Sequence, residues 1–259
     1  MKRVCPVCLS GQIYEPDYHA GGQMNPVLMI AYNNLALTKQ AVASVLAQDI
    51  PVELHFVDNG SIDGTWEWAS EQGFASCQHN PVNRSPVAIG NTLAASIFSR
   101  RSHLLGVPND AILPANCYSE LLKWPRGFVC ATDIGQNTPE CRPGKAVSEN
   151  TPMAVMLTRK WAYDALIARD GYFFDENIFM YASDCDLALR MATCGIRGIQ
   201  LDVPFWHYGS ASHRLALPHI SREITAQADR DRDYFEKKWG FKVDSLEYGQ
   251  RPADINFKG

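Results

Sequence analysis

The first half of the chain alternates strand-like and helix-like segments, and this alternation restricts the possible folds more than any other feature. The apolar run "VLMIAY" at Val27–Tyr32 has the length of a strand that is covered on both faces. A segment with one apolar helical face follows at 35–48. The alternation continues with a strand at 52–58, a helix at 65–73, a strand at 74–79, a helix at 87–99 and a strand at 103–107. It predicts an α/β fold with a mostly parallel central sheet flanked by helices.

The second half of the chain is less regular. Its pattern predicts a strand at 153–159, a helix at 160–171, a helix at 183–195, a strand from residue 198 and a charged helix at 221–240. We therefore predict one α/β domain over residues 25–240, preceded by a small Cys-containing N-terminal appendage (1–24) and followed by a C-terminal tail (241–259).

Charge and missing motifs exclude several classes of function. The 259 residues carry a formal net charge of −4, which disfavours a wholly electrostatic nucleic-acid binder but leaves a local basic groove open. No run of 18 apolar residues is present, so no membrane span is expected, and the N-terminus lacks the apolar core of a secretion signal. We expect a cytoplasmic protein with reduced cysteines. The absence of G-x-G-x-x-G and of a P-loop motif argues against a dinucleotide oxidoreductase or a P-loop NTPase.

Polar residues follow three of the predicted strands. They are Tyr32-Asn33, Asp58-Asn59 and Asn109-Asp110. In parallel sheets, ligands bind beyond the carboxyl ends of the strands, so these residues mark a candidate site. Asp58 has the acceptors for a base N–H or a sugar hydroxyl, and the alternative is a turn residue that prepares Asn59-Gly60. Tyr32 has the ring to stack on a base or cover it.

The segment "FFDENIFMYASDCDLALR" at 173–190 places four carboxylates in apolar surroundings. They are Asp175, Glu176, Asp184 and Asp186. The first two cap the following turn or reach an acceptor. Ser183 or Asp184 is predicted to cap a helix in which Asp184 and Asp186 face nearly opposite directions, and Asp186 pairs with Arg190 at i,i+4. The helix dipole favours a carboxylate at Asp184, which suits a general base.

Six motifs, in this order, resemble the inverting family 2 glycosyltransferases with a GT-A (nucleotide-diphospho-sugar transferase) fold. They are "AYNNLALTKQAVASVLAQ", "VDNGSIDGT", "VPNDAILP", "FFDENIFMYASDCDLALR", "VPFWHYGSAS" and "YFEKKWG". The resemblance covers residues 26–240, and "VDNGSIDGT" is its most specific part. It implies a transferase that moves a sugar from a nucleotide-sugar donor to an acceptor glycan or other hydroxyl-bearing molecule with inversion.

The resemblance also implies roles for individual residues. Asp184 is implied as the catalytic base, and Asp110 and His207 as contacts of a donor-site Mn²⁺ or Mg²⁺. The region of the family's metal-binding DxD reads Pro108-Asn109-Asp110 here and has one carboxylate instead of two. The alternatives are a helix-capping Asp110 and a hydrogen-bonded loop histidine at 207. The nucleotide-contacting set is Tyr32, Asp58, Asn59, Asn91 and Asn109.

The N-terminal "CPVC" provides half of a zinc knuckle, because a structural zinc site needs four ligands. Cys5 and Cys8 are therefore candidate ligands of a structural Zn²⁺ or a redox or inert pair. Rival functions are a catalytically silent nucleotide-sugar or glycan-binding protein on the same fold and, for the acceptor, a modified base in nucleic acid, as in viral DNA glycosylation. A nucleotidyltransferase is disfavoured, because "AYNNLALTK" is not a Gly-rich basic loop.

Overall fold

The computed structural model describes residues 24–148 and 154–243. The predicted appendage with Cys5 and Cys8 and the predicted tail lie outside the described residues, apart from Met24 and residues 241–243. The strands are β1 (Asn25–Ala31), β2 (Val52–Asp58), β3 (Ser76–His79), β4 (His103–Gly106), β5 (Ala111–Ile112), β6 (Phe128–Asp133), β7 (Ala146–Ser148), β8 (Met156–Arg159) and β9 (Gly198–His207). The helices are α1 (Leu35–Leu46), α2 (Thr65–Ser70), α3 (Pro86–Phe98), α4 (Cys117–Leu122), α5 (Lys160–Asp170), α6 (Ser183–Thr193), α7 (Ala211–Arg214) and α8 (Pro218–Trp239).

The described strands form one sheet in the order β3-β2-β1-β4-β8-β6-β9-β5, with β7 paired to β9. The first four strands pair in parallel, as the alternation predicts. β8 then enters antiparallel between β4 and β6, and β5 and β7 run antiparallel to β9. The sheet is therefore mixed, with parallel pairing among β1 to β4 and again between β6 and β9.

Helices cover both faces of the sheet. One apolar cluster joins the sheet to α1 and α4 through residues such as Val45 and Tyr118. The second joins the opposite face to α3, α5 and α6 through residues such as Ile97, Leu166 and Leu187. Burial on both faces explains why "VLMIAY" is continuously apolar instead of alternating.

The described residues contain no helix that is both long and apolar enough to cross a membrane. The longest described helix, α8, has 22 residues but carries charged side chains along its whole length. Its few buried positions, among them Asp231 and Phe235, dock it against the body of the protein.

Candidate functional site

A cavity of about 310 Å³ lies beyond the carboxyl ends of β1 and β4. We call it the strand-end cavity. Five residues singled out from the sequence line it: Tyr32, Asn59, Asn109, Asp110 and His207. Its other walls include the 179–181 loop before α6, the 210–212 segment at the start of α7, and two residues of α8, Ile224 and Gln227. The fold therefore brings most of the predicted strand-end residues to one place.

Asp58 ends β2 and is fully buried. Its Oδ2 pairs with His79 Nδ1 at 2.8 Å and accepts from the backbone N–H of Ser61 at 3.3 Å. The His79 ring is stacked on Trp66, with the ring centroids 4.9 Å apart. Oδ1 of Asp58 is buried and has no hydrogen-bond partner among the described residues. One oxygen of Asp58 therefore stabilises the turn, as the turn-residue alternative predicts, and the contact of the other oxygen with a ligand stays a prediction.

Asn59 lines the cavity, but its amide is saturated within the protein. Nδ2 donates to Asn83 Oδ1 and to the Arg84 carbonyl, both at 2.8 Å. Oδ1 accepts from Asn80 Nδ2 at 3.0 Å and from the Arg84 N–H at 3.1 Å. A side-chain amide offers two donors and two lone pairs, so none is left for a ligand. In this structure the side chain of Asn59 fixes the 80–84 loop, and its role as a nucleotide contact stays a prediction.

Asn91 does not reach the strand-end cavity. Its Nδ2 donates to the Phe174 carbonyl and to Glu176 Oε1, each at 2.9 Å, and its Oδ1 accepts from the Phe174 N–H at 2.8 Å. These contacts attach α3 to the segment that precedes α6. In this structure Asn91 makes scaffolding contacts, and its role as a nucleotide contact stays a prediction.

Asn109 lines the cavity from the loop after β4. Its Nδ2 donates to the Asn33 carbonyl at 3.1 Å and to Thr38 Oγ1 at 2.9 Å. These bonds fix the orientation of the amide, and Oδ1 has no partner within the described part of the chain. The oxygen is therefore the atom of Asn109 that a ligand would meet.

Asp110 and His207 meet because β5 pairs antiparallel with β9, with Ala111 opposite His207. His207 Nε2 lies 3.3 Å from Asp110 Oδ1, and Nδ1 lies 2.7 Å from Asp133 Oδ2. Burial disfavours the charged imidazolium, but the hydrogen bonds to Asp110 and Asp133 outweigh it and raise the pKa of His207 to about 9. Asp133, at the end of β6, was missed because no periodic pattern marks that strand.

Asp110 and His207 are the side chains that could hold the divalent ion that the resemblance implies. A carboxylate oxygen and an imidazole nitrogen face one another, and both are ligand types that Mn²⁺ accepts. Within the ranges 24–148 and 154–243, no group of three or more His, Cys, Asp or Glu side chains is arranged to hold a metal. Mg²⁺-type sites commonly use one or two carboxylates plus substrate phosphates, so a pair of protein ligands is compatible with a shared site.

Asp184 lies in the first turn of α6 and is exposed. Its Oδ1 accepts from the backbone N–H of Cys185 at 2.8 Å. The prediction that Ser183 or Asp184 caps the helix is wrong, because the N-cap is Ala182 in a left-handed conformation with φ 63° and no side-chain cap bond. Asp184 does not line the cavity itself but follows the loop of Phe179 to Tyr181, which does.

The other carboxylates of this segment are structural. Asp186 is fully buried and pairs with Arg190 at 2.8 Å, as the i,i+4 spacing predicted, and with Lys238 at 2.6 Å. Asp175 accepts from the N–H of Asn177 at 3.0 Å, which confirms the predicted turn cap, and from Lys238 at 2.6 Å. Burial opposes its ionisation, but Lys238 and Asn177 outweigh burial and lower the pKa of Asp175.

Left-handed backbone conformations of residues other than glycine are concentrated around the cavity. In the described residues they occur at Asn33 and Asn34 after β1, at Ala182 before α6 and at Ser210 before α7. Such conformations cost about 1–3 kcal/mol each and persist where the surrounding structure enforces them. Ser210 lines the cavity, and Asn33 adjoins the cavity-lining Tyr32.

Comparisons with known proteins are consistent with this geometry. Residues 27–88 match the model of the glycosyl transferase family 2. No curated protein sequence matches the chain significantly. The structure is similar to that of S. aureus TarS 1–349, with a TM-score of 0.53 and 15% identity over 85% of this chain and 73% of that chain.

Two further solved structures share the fold. The mannosyltransferase PcManGT from Pyrobaculum calidifontis, solved with GDP-Man and Mn²⁺, has a TM-score of 0.55 and 16% identity over 86% of this chain and 74% of that chain. GalNAc-T7, solved with UDP, GalNAc and Mn²⁺, has a TM-score of 0.56 and 12% identity over 88% of this chain and 58% of that chain.

These likenesses confirm the GT-A fold and the resemblance to family 2 glycosyltransferases that the motifs indicated, and they support a transferase. The family match spans β1 to the start of α3 and includes Tyr32, Asp58 and Asn59. It ends before Asp110, Asp184 and His207, so the roles of these three residues stay predictions.

Proposed function

We propose that the chain is an inverting glycosyltransferase that binds a nucleotide-sugar donor in the strand-end cavity and transfers the sugar to an acceptor hydroxyl. The observation that carries this proposal is the convergence of Tyr32, Asn109, Asp110 and His207 on one cavity, beside a buried acceptor of Asp58 that has no partner in the described residues. The similar structures of TarS and PcManGT were solved with UDP-GlcNAc and GDP-Man, respectively.

The nucleotide would be recognised at the end of β2. An unpartnered buried carboxylate oxygen costs free energy, and a donor N–H or hydroxyl removes that cost. Asp58 Oδ1 would accept such a bond from the base or ribose, while His79 and Ser61 keep the other oxygen in place. Tyr32 lies in the wall of the strand-end cavity, which Asp58 adjoins through its neighbour Asn59, and would cover the base.

The diphosphate would lie near Asp110 and His207. These two residues would hold a Mn²⁺ or Mg²⁺ ion together with the donor phosphates. When bound, the ion neutralises charge that develops on the departing diphosphate. Asp133 orients His207 through Nδ1, so that Nε2 faces Asp110.

Asp184 would act as the general base. It takes the proton of the acceptor hydroxyl while the acceptor oxygen forms a bond to the anomeric carbon. The bond from that carbon to the diphosphate breaks, and the nucleoside diphosphate leaves with the electron pair. One displacement on the opposite face of the ring inverts the anomeric configuration. Because the side chain of Asp184 is exposed, an incoming acceptor can reach it.

The experiment is a thermal-shift panel of the full chain with UDP, GDP, dTDP and CDP, each with Mn²⁺ and with EDTA. A ligand at 100 times its Kd stabilises the folded state by about 2.7 kcal/mol, which raises Tm by several degrees in a chain of this size. We expect one nucleotide to do so and Asp58→Asn to remove most of that rise, with Asp164→Asn, an exposed surface change, as control.

The outcomes of the panel separate the readings. Stabilisation that EDTA removes supports the metal contacts at Asp110 and His207. Stabilisation that persists in EDTA means that nucleotide binding does not require a metal ion at these two residues. A response to no nucleotide contradicts the proposal. Stabilisation without release of nucleoside diphosphate from any sugar nucleotide favours a silent binding protein.

A further inference from the structure

The 179–181 loop, which lines the strand-end cavity, is held by one carboxylate from the distant helix α8. Asp231 Oδ1 accepts from the N–H of Phe179 at 2.9 Å, and Oδ2 accepts from Met180 at 2.9 Å and Tyr181 at 2.8 Å. Asp231 is fully buried. Three successive backbone N–H groups converging on an anion form a strong and directional contact, because each bond is charge-assisted.

The same carboxylate connects the loop to another wall of the cavity. Gln227 lies one helical turn before Asp231, lines the cavity, and donates Nε2 to Asp231 Oδ1 at 2.8 Å. From the other side of the loop, Ser85 Oγ donates to the Phe179 carbonyl at 2.7 Å. The loop is therefore fixed from α8 and from the start of α3.

Fixing the loop also determines where α6 begins. The helix lacks a side-chain N-cap, and Ala182 is held in a left-handed conformation with φ 63°, which costs about 1 kcal/mol or more for a residue other than glycine. Ser183 Oγ donates back to the Met180 carbonyl at 2.7 Å. The bonds to Asp231 thus stabilise a backbone turn that the sequence around Ala182 does not favour by itself.

We infer that Asp231 is a positioning residue, which orients the 179–181 loop and the first turn of α6 so that Asp184 faces the bound donor. The inference rests on the proposed function, in which Asp184 takes the acceptor proton. Asp231 itself does not touch the reacting atoms. A misplacement of about 1 Å at a catalytic group costs roughly 100-fold in rate, so an anchor of this kind affects turnover more than donor binding.

The test compares Asp231→Asn with Glu53→Gln in the full chain. Asparagine keeps the volume of the side chain but turns an NH₂ group toward backbone N–H groups, so at most half of the acceptor oxygens remain. Glu53 is a matched control because it also loses charge-assisted bonds, from Arg101 at 2.7 and 2.6 Å, but lies at the start of β2, the opposite end of the strand from Asp58.

Two readouts are measured well below the Tm of each variant. The first is amide hydrogen exchange over residues 178–183, expected to be at least tenfold faster in Asp231→Asn and unchanged in Glu53→Gln. The second is release of nucleoside diphosphate from the sugar nucleotide that matches the thermal-shift result. There we expect kcat to fall at least tenfold in Asp231→Asn with donor KM within threefold, and both constants to stay within twofold in Glu53→Gln.

The results separate the inference from the proposed function. If the wild-type chain turns over a donor and Asp231→Asn keeps kcat within twofold, or exchange in the loop is unchanged, the positioning role is overturned. If kcat and KM change together in proportion to lost stability, Asp231 is merely structural. A wild-type chain that turns over no sugar nucleotide overturns both. Should Asp231→Asn not fold, Asp231→Glu keeps the carboxylate and is expected to give the same split with a smaller loss.

Discussion

Asp184 and Asp186 are two residues apart in α6, and substituting each by asparagine should separate catalysis from stability. They point to opposite sides of the helix, since Asp184 is exposed and Asp186 is fully buried. We expect Asp186→Asn to destabilise the protein and Asp184→Asn to inactivate it without a comparable change in stability.

The cost at Asp186 follows from its partners. Its carboxylate accepts from Arg190 Nε at 2.8 Å, Trp239 Nε1 at 2.9 Å and Lys238 Nζ at 2.6 Å. Removing one member of a buried ion pair costs about 3–5 kcal/mol. Arg190 retains Asp170 at 2.9 Å, and Lys238 keeps its second carboxylate partner. The expected loss is therefore at the lower end, about 3 kcal/mol, or roughly 6–12 °C in Tm.

The cost at Asp184 falls on the reaction instead. The hydrogen bond that Asp184 accepts is local, from the next backbone N–H along the chain, and the side chain is exposed. Surface substitutions of this kind change the free energy of unfolding by about 0.5 kcal/mol or less. Loss of a positioned general base lowers kcat by about 10²- to 10⁴-fold. Nucleotide-induced stabilisation should be unaffected, because Asp184 does not line the cavity.

The assay combines urea denaturation of both variants with nucleoside diphosphate release from the matching sugar nucleotide. Asp164→Asn is the control, since it breaks the exposed i,i+4 pair with Lys160, whose worth is about 0.3–0.5 kcal/mol. An Asp186→Asn variant as stable as the control would refute the network argument. Wild-type turnover in Asp184→Asn would remove Asp184 from the role of base.

Three further results are expected from the same structure. Burial, with Arg159 and Arg101 nearby, lowers the pKa of His103 to about 4, so on acidification this histidine is protonated in the unfolded chain before it is protonated in the folded one. Between pH 7 and pH 5 the free energy of unfolding should therefore fall by about 2 kcal/mol because of this group. Urea denaturation of His103→Gln over the same pH range should lack this component. Gly60→Ala places a Cβ 2.6 Å from the Val82 backbone at φ 82° and should cost about 2–4 kcal/mol in thermal unfolding, whereas Gly73→Ala, with nothing within 4 Å, should cost only about 1 kcal/mol. Asp110→Asn should abolish the Mn²⁺-dependent part of the nucleotide-induced Tm rise and leave the part measured in EDTA, and a variant that keeps its Mn²⁺ response would exclude Asp110 as a ligand.

The sequence predicts the first half of the fold well because the signals there are local. β1, β2 and β4 contain apolar runs followed by polar turn residues, and each strand from β1 to β4 is joined to the next by a helix. The second half depends on non-local pairing. β5 and β7 contain only 2 and 3 residues, too few to show a period, and β8 takes its place between β4 and β6 through contacts with strands far along the chain.

The residues of the candidate site likewise fall into those that local sequence predicts and those that depend on contacts with distant parts of the chain. Residues at strand ends, such as Tyr32 and Asp110, are predictable because the edge of the sheet collects them. The contact of Asn91 with Phe174 could not be predicted, because the two residues lie 83 positions apart in the chain. The role of Asp231 could not be predicted either, because it bonds to Tyr181 across 50 residues. In addition, a carboxylate in a charged helix is typical of a solvated surface.

The acidic segment before and within α6 is tolerated because α8 satisfies it. Asp175 and Asp186 are both buried, and both accept from Lys238. The backbone N–H groups of the loop between them donate to Asp231. Helix α8 therefore supplies a cation, Lys238, to the carboxylates of this segment and a carboxylate, Asp231, to its N–H groups. Buried carboxylates without such partners would be too costly to keep ionised. Asp184 is the acid of this helix that α8 leaves exposed, and this exposure is what the proposed role of general base requires.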